Sequence, residues 1–233
     1  MLNHKLPEKT KLDIPACVSR ALIEDIGEGD ITAILIPEHE IAKAEISANE
    51  TAVLCGKAWV NEVFVQLDEN VQLTWHVEEG HLFDPGTNIA TIIGNARSLV
   101  SGERTALNFL QTLSATATCA RHYSLAASDS HLKILDTRKT IPGLRLAQKY
   151  AVTVGGCYNH RIGLYDAFLI KENHISVCGG ISRAISRARS IDPKKPVQVE
   201  VETVKEFEEA VLAGADSLLL DNFSLSEIKK ITP

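Results

Sequence analysis

Apolar residues follow one another along this chain in two rhythms, and the change falls at about residue 130. Before it, helices and short alternating strands are mixed. Residues 13–24 predict a helix, with Asp13 as N-cap, Pro15 in the first turn, and Ile14, Val18, Ala21 and Leu22 on one face. Period-two alternation over residues 41–48 and 71–77 predicts strands, residues 88–93 read as another, and Trp59, Val63 and Leu67 at helical spacing predict a helix over 58–67. Gly27-Glu28-Gly29-Asp30, Glu79-Gly80 and Asp84-Pro85-Gly86 read as loops and turns. A helix over 97–113 has a broad apolar face through Leu99, Ala106, Leu110 and Leu113. Its polar stripe runs Arg97, Ser101, Arg104, Asn108, Gln111 at steps of three and four. A second helix is expected over 118–127.

After that point strands and helices alternate. Strands at 132–136, 166–170, 197–202 and 216–220 are followed by helices at 142–154, 181–190, 204–213 and a last short one. Repeated strand–helix units predict a parallel sheet, open or closed into a barrel. Thr203 with Glu206, and Ser224 with Glu227, form capping boxes. The segment Val197-Gln198-Val199-Glu200-Val201-Glu202 is unusual, because parallel strands are covered on both faces and normally read as continuous apolar runs. Here one face is valine and the other is Gln198, Glu200 and Glu202. If helices cover the valines, the carboxylates face a barrel interior, which is costly unless something cationic meets them.

Four successive strand ends therefore deliver Arg138 and Lys139, then Lys171, then Glu200 and Glu202, then Asp221. In a β/α barrel the active site is built at those ends. Between Asp136 and His174 there are six Lys/Arg, two His and three Asp/Glu, a local balance of +3 in a chain whose formal charge is −6. A basic island in an acidic protein, placed at strand ends, predicts a pocket for a small polyanion. The arginines offer carboxylates or phosphates bidentate, charge-assisted hydrogen bonds. Carboxylates opposite them suit a divalent cation, ribose hydroxyls or a developing positive charge.

Composition narrows the alternatives. The pI near 5.8 argues against a general nucleic-acid binder. No apolar run approaches the roughly 18 residues of a membrane span, and residues 1–11 lack an apolar signal core. The expectation is a cytoplasmic protein without a membrane partner. Five cysteines with no CxxC spacing predict free thiols rather than a disulfide frame or a zinc site. There is no GxGxxG after a strand, no P-loop and no GxSxG elbow. Gly155-Gly156 closes a helix and requires no ligand. On spacing alone Arg104 reads as a solvent-facing helix arginine paired with Glu103 or water.

Several stretches also resemble one family. They are Asp25-Ile-Gly-Glu-Gly-Asp-Ile-Thr32, Glu103-Arg-Thr-Ala-Leu-Asn108, Ile134-Leu-Asp-Thr-Arg-Lys-Thr-Ile-Pro-Gly-Leu-Arg145, Gly155-Gly-Cys-Tyr-Asn-His-Arg-Ile-Gly-Leu-Tyr-Asp166, Phe168-Leu-Ile-Lys-Glu-Asn-His174, Val199-Glu-Val-Glu-Thr203 and Leu220-Asp-Asn222. Together they are similar to the quinolinate phosphoribosyltransferases, over nearly the whole chain. The resemblance implies an α/β fold: an N-terminal α/β sandwich over 1–113 and an incomplete, open β/α barrel of TIM-like type over 114–233. It implies transfer of phosphoribose from phosphoribosyl pyrophosphate to quinolinate with decarboxylation, giving nicotinate mononucleotide, pyrophosphate and CO2 in NAD synthesis. It implies Mg2+ as cofactor, and a homodimer in which Arg104 reaches the partner's site. Substrate-binding positions are then Arg104, Arg138, Lys139, His160, Arg161, Lys171, Glu200 and Asp221. Lys139, Glu200 and Asp221 are the catalytic positions, and Glu200 and Asp221 the metal-facing ones. Family members continue for roughly two further βα units, with a Ser/Gly-rich loop for the 5′-phosphate, so the chain is expected to be short at its C-terminus. Two other readings stay open: a sister enzyme for another aromatic acid, and a non-catalytic protein that binds an anion or pairs with a longer subunit.

Overall fold

The computed structural model describes residues 5–231. The chain divides into two compact units, Met1–His160 and Arg161–Pro233.

The first unit opens with helix α1, Glu8–Ile26. It starts earlier than its predicted N-cap, because Pro7 presets its φ at −61° and the segment from Glu8 to Leu12 is made of tolerant helix residues. Pro15 consequently lies inside the helix, not in its first turn. Strands β1 (Ile41–Ser47), β2 (Ala52–Val53), helix α2 (Lys57–Leu67) and strands β3 (Gln72–Trp75), β4 (Leu82–Phe83) and β5 (Asn88–Asn95) follow. They make an antiparallel sheet in the order β1-β5-β3 and a two-stranded ribbon β2-β4. The three longer strands fall where the sequence reading puts them, with ends moved by one or two residues.

Helix α3, Ala96–Ala126, is one uninterrupted element of 31 residues rather than two helices. No Gly or Pro separates residues 113 and 118, and the buried face continues through Leu113, Ser114, Ala117 and Ala120. The expected border at 113/114 thus falls inside a helix. Helix α4 is Arg145–Val154. The core of this unit gathers Trp59, Phe64, Leu54, Leu113 and Val154, all 2% exposed or less. Two glycines permit the helix packing. A Cβ at Gly102 would meet Leu67 Cδ1 at 2.8 Å, and one at Gly155 would collide with the Ala117 carbonyl of α3. Gly155-Gly156 therefore marks close helix approach, as its place at the end of α4 already indicates.

The expected strand 132–136 shrinks to a single parallel bridge between Leu135 and Tyr158. Leu132 and Leu135 stay exposed, so this apolar run has no sheet face to bury against.

The second unit contains β6 (Phe168–Ile170), α5 (Glu172–Cys178), α6 (Ile181–Ile191), β7 (Val197–Val201), α7 (Val204–Leu212), β8 (Ser217–Leu220) and α8 (Leu225–Ile231). Its strands form a parallel sheet in the order β6-β7-β8. The α/β class and the strand–helix rhythm agree with the sequence; the described residues contribute three parallel strands and no closed barrel. Val197, Val199 and Val201 are fully buried and cluster with Ile181, Ala184, Ile185, Ala188 and Ala210 of α6 and α7. Gln198 and Glu200 point to the other face, as the alternation requires. Both expected caps form. Thr203 Oγ1 accepts from Glu206 N at 3.2 Å, although Glu206 reaches back to Glu202 N at 2.8 Å instead of closing on its own N-cap. Ser224 and Glu227 make the reciprocal box. Helix α5 was not predicted, although Gly179-Gly180 marks its end.

Candidate active site

The second unit brings three of the expected residues to one edge. Leu169 pairs in register with Gln198, and Ile170 with Val199, so Lys171 falls beside Glu200. Glu200 in turn sits beside Leu219, and Asp221 N bonds Val201 O at 2.9 Å, extending the ladder past β8. Strand alternation then places Lys171, Glu200 and Asp221 on the face not covered by α6 and α7, at the carboxyl ends of their strands. Lys171 Nζ donates to both Glu200 oxygens, at 2.9 and 2.7 Å. The Lys171 side chain is 41% exposed and that of Glu200 11%. Asp221 is half-buried and accepts from Asn222 Nδ2 at 3.3 Å. Glu202 lies just beyond the strand and is exposed.

Lys171 is fixed at its backbone too. Its N–H donates to His174 Nδ1 at 3.1 Å, so that the ring caps the start of α5. Arg161 Nη1 donates to Ala167 O at 3.4 Å. Asp166 closes the intervening turn by accepting from Ile162 N at 2.6 Å and Gly163 N at 3.3 Å. Burial pushes the Asp166 carboxyl up, but those two N–H donors, its own backbone and Arg161 together hold it below the usual carboxylate range.

The first unit holds the other cations. Arg138 and Lys139 lie in the turn after the Leu135 bridge, where Thr137 Oγ1 accepts from Lys139 N at 3.0 Å. Arg145, at the start of α4, staples that turn by donating to Thr140 Oγ1 at 3.2 Å and Arg138 O at 3.4 Å. Arg138 is half-buried and Lys139 exposed. His160 is positioned through its main chain, with His160 N on Asp136 Oδ1 at 2.8 Å. That same carboxylate accepts from Lys149 Nζ at 2.5 Å, and the two side chains are 9% and 3% exposed. The Asn159 amide completes the cluster: with its nitrogen assigned to the side facing these acceptors, it donates to Asp136 Oδ2 at 2.7 Å and Lys149 O at 3.0 Å.

Arg104 is exposed on α3 and forms no ion pair with Glu103 or any other acid among the described residues. Its neighbours are better held. Asp30 Oδ2 accepts from Ser101 Oγ at 2.9 Å, and Asp25 Oδ2 accepts from Thr105 Oγ1 at 3.4 Å. Asp30 Oδ1 also takes Thr32 N and Ala33 N, at 3.0 and 2.9 Å. The Asp25–Thr32 stretch is thus a clamp on the α3 turn that carries Arg104.

Hard carboxylate oxygens at the sheet edge suit Mg2+, which takes one or two protein carboxylates plus substrate phosphates. Asp221 has no cationic partner among the described residues, whereas both Glu200 oxygens are taken by Lys171. No group of three or more His, Cys, Asp or Glu sharing an ion site occurs among the described residues. Sequence reasoning assigned no role to Asp136, Arg145, Lys149 or Asn159. The signal for Asp136 was its place directly after the apolar run and just ahead of Arg138.

Two family models match. One, described as "Quinolinate phosphoribosyl transferase, N-terminal domain", covers residues 30–114, and one for the C-terminal domain covers 116–233. A probable nicotinate-nucleotide pyrophosphorylase (carboxylating) of Bacillus subtilis is 42% identical over 226 residues, 95% of this chain and 78% of that protein. A solved nicotinate-nucleotide pyrophosphorylase from Francisella tularensis superposes with a TM-score of 0.92 at 45% identity, over 97% of this chain and 80% of that one. NadC from Streptococcus pyogenes gives 0.91 at 41% identity, over 95% and 79%.

Proposed function

Starting from the premise that the chain belongs to the quinolinate phosphoribosyltransferase family, we propose that it transfers phosphoribose from phosphoribosyl pyrophosphate to quinolinate with loss of CO2. The products are nicotinate mononucleotide and pyrophosphate, a step of NAD synthesis. The relatives' names and the match of both family domains support this reading. The observation that carries it is the Lys171–Glu200 pair at the carboxyl edge of β6 and β7. A cation and a carboxylate held in adjacent register, the cation still open to solvent, can exchange partners when an anionic substrate arrives.

Arg138, Lys139, His160, Arg161 and Lys171 serve as ligands for the pyridine carboxylates and the phosphates. With the acid groups fixed, the pyridine nitrogen is aimed at ribose C1. Lys171 turning toward a substrate carboxylate releases Glu200, which with Asp221 stabilises positive charge growing on the ribose as pyrophosphate departs. No covalent enzyme intermediate is required; the rate comes from orientation and preorganised charge. Asp221 and Glu200 are the residues that would hold Mg2+, which would supply charge neutralisation of the leaving group. Lys139 is the remaining catalytic cation.

Arg104 belongs to the same reading. Exposed beside its clamp, and without an acidic partner among the described residues, it is suited to reach the site of a second copy in a homodimer. Among the described residues no helix is long and apolar enough to cross a membrane. The acidic composition and the unpaired cysteines support a cytoplasmic setting.

Purified protein incubated with quinolinate, phosphoribosyl pyrophosphate and Mg2+ should form nicotinate mononucleotide, followed by liquid chromatography. Mixing Arg104→Ala with Arg138→Ala protein should restore part of the activity through hybrid dimers. No product from the wild-type chain would refute the enzymatic reading. No recovery despite demonstrated subunit exchange would refute the shared site.

A further inference from the structure

We infer that Asp136 and Lys149 are positioning residues for the quinolinate site, fixing His160 through its main chain. The inference rests on the reading of His160, Arg138 and Lys139 as substrate ligands. Lys149 is an anomaly for α4. Its neighbours Ala147, Tyr150, Ala151 and Val154 are core residues, and the lysine is buried with them at 2% exposure. Burying an ammonium is costly, and replacing a buried ion pair by apolar residues of similar size is often neutral or stabilising. Stability alone therefore gives no reason to keep the pair. Geometry does.

Five hydrogen bonds converge here. Lys149 Nζ donates to Asp136 Oδ1 at 2.5 Å and to His160 O at 3.2 Å. Asp136 Oδ1 accepts from His160 N at 2.8 Å. The Asn159 amide donates to Asp136 Oδ2 at 2.7 Å and to Lys149 O at 3.0 Å. Both polar main-chain groups of His160 are thus held by one ion pair, so the peptide planes on either side of its Cα are set. The same carboxylate lies two residues before Arg138, and Asp136 N is itself tied to Tyr158 O at 3.0 Å. One cluster consequently fixes the spacing between the turn that carries Arg138 and Lys139 and the segment that carries His160. An apolar pair would fill the volume and hold neither. Such a network, with every member satisfied, is rigid in a way hydrophobic contacts are not.

The test uses Lys149→Met, the charge-free double variant Asp136→Asn with Lys149→Met, and Asn159→Ala, which leaves the ion pair intact. Readouts are melting temperature, separate KM values for quinolinate and phosphoribosyl pyrophosphate, and the NMR titration of the His160 ring. The double variant is expected to fold and to raise the quinolinate KM at least tenfold, with the phosphoribosyl pyrophosphate KM within twofold of wild type. The His160 resonance should move. Asn159→Ala should raise the quinolinate KM about threefold. A folded double variant with both KM values unchanged, or with both raised equally, overturns the inference and leaves a purely structural pair. Should neither Lys149 variant fold, an Asn159→Ala protein with unaltered quinolinate KM and His160 resonance overturns it as well. A wild-type chain that neither turns over nor binds quinolinate refutes the functional reading instead. The His160 resonance, which needs no substrate, still reports whether the cluster controls that residue.

Discussion

Two lysine–carboxylate pairs in this chain have the same chemistry and opposite surroundings. Lys149–Asp136 is enclosed, with side chains 3% and 9% exposed, and its further hydrogen bonds go to neighbouring main chain and Asn159. In Lys171–Glu200 the carboxylate is nearly as enclosed, at 11%, but the lysine is 41% exposed, and that ammonium covers both carboxylate oxygens. The enclosed pair cannot change partners without stranding a charge in a low-dielectric interior, so it holds geometry. The open pair has a lysine that solvent or substrate can reach, so it is suited to exchanging partners. Identical charge types at similar distances thus do different work, and burial decides which.

The largest expected effect is on the enclosed pair. Lys149→Ala removes one partner and leaves Asp136 buried, which should cost about 3–5 kcal/mol in urea unfolding. Lys171→Met should reverse that profile. Its stability change should be smaller than that of Lys149→Ala, because water can reach Glu200 through the space left by a lysine that is 41% exposed. Its kcat/KM should fall by the roughly 1.5–3 kcal/mol of a charge-assisted contact. Should the two variants show the same split between stability and activity, burial does not separate the pairs. Thr203→Ala, at the cap of α7, should cost about 1 kcal/mol and leave activity unchanged, which calibrates a purely structural loss in the same unit as Lys171.

The smallest effect concerns pH. The Asp166 carboxyl is held below its ordinary range in the folded chain, so its contribution is fully present above the unfolded carboxylate value and is lost as pH falls through the folded one. Unfolding followed from pH 7 down to about pH 3 should show a shallower acid limb in Asp166→Asn than in wild type. An unchanged limb would remove Asp166 from the groups that tie the Arg161 turn together.

The valine row of β7, and the need for a cation to meet its acidic face, were legible in the sequence, because carboxylates on an enclosed strand face are costly unpaired; that Lys171 is that cation follows only from the register of β6 on β7. The cap residues Thr203 and Ser224 were legible because a capping box lies within four residues of chain. What escaped was non-local. The 3.6-residue period does not distinguish Lys149 from Arg145 on α4. The first is buried because Asp136, 13 residues earlier, folds onto it, and the second is left to staple a turn. The run 132–135 looked like a strand and is only a bridge, since apolar residues become a strand only where a neighbouring strand receives them. Arg104 shows the converse. Its spacing favours a solvent-facing arginine, and only the Asp25 and Asp30 contacts beside it reveal a built surface.

The open pair is, on this reading, the place where a second carboxylate is recognised. Calorimetric titration of quinolinate and of nicotinate into wild-type and Lys171→Met protein tests this directly. The diacid should bind wild type at least tenfold more tightly than the monoacid, about 1.4 kcal/mol. That advantage should shrink in folded Lys171→Met protein. Equal affinity for the two acids, or an advantage that survives the loss of Lys171, would contradict it.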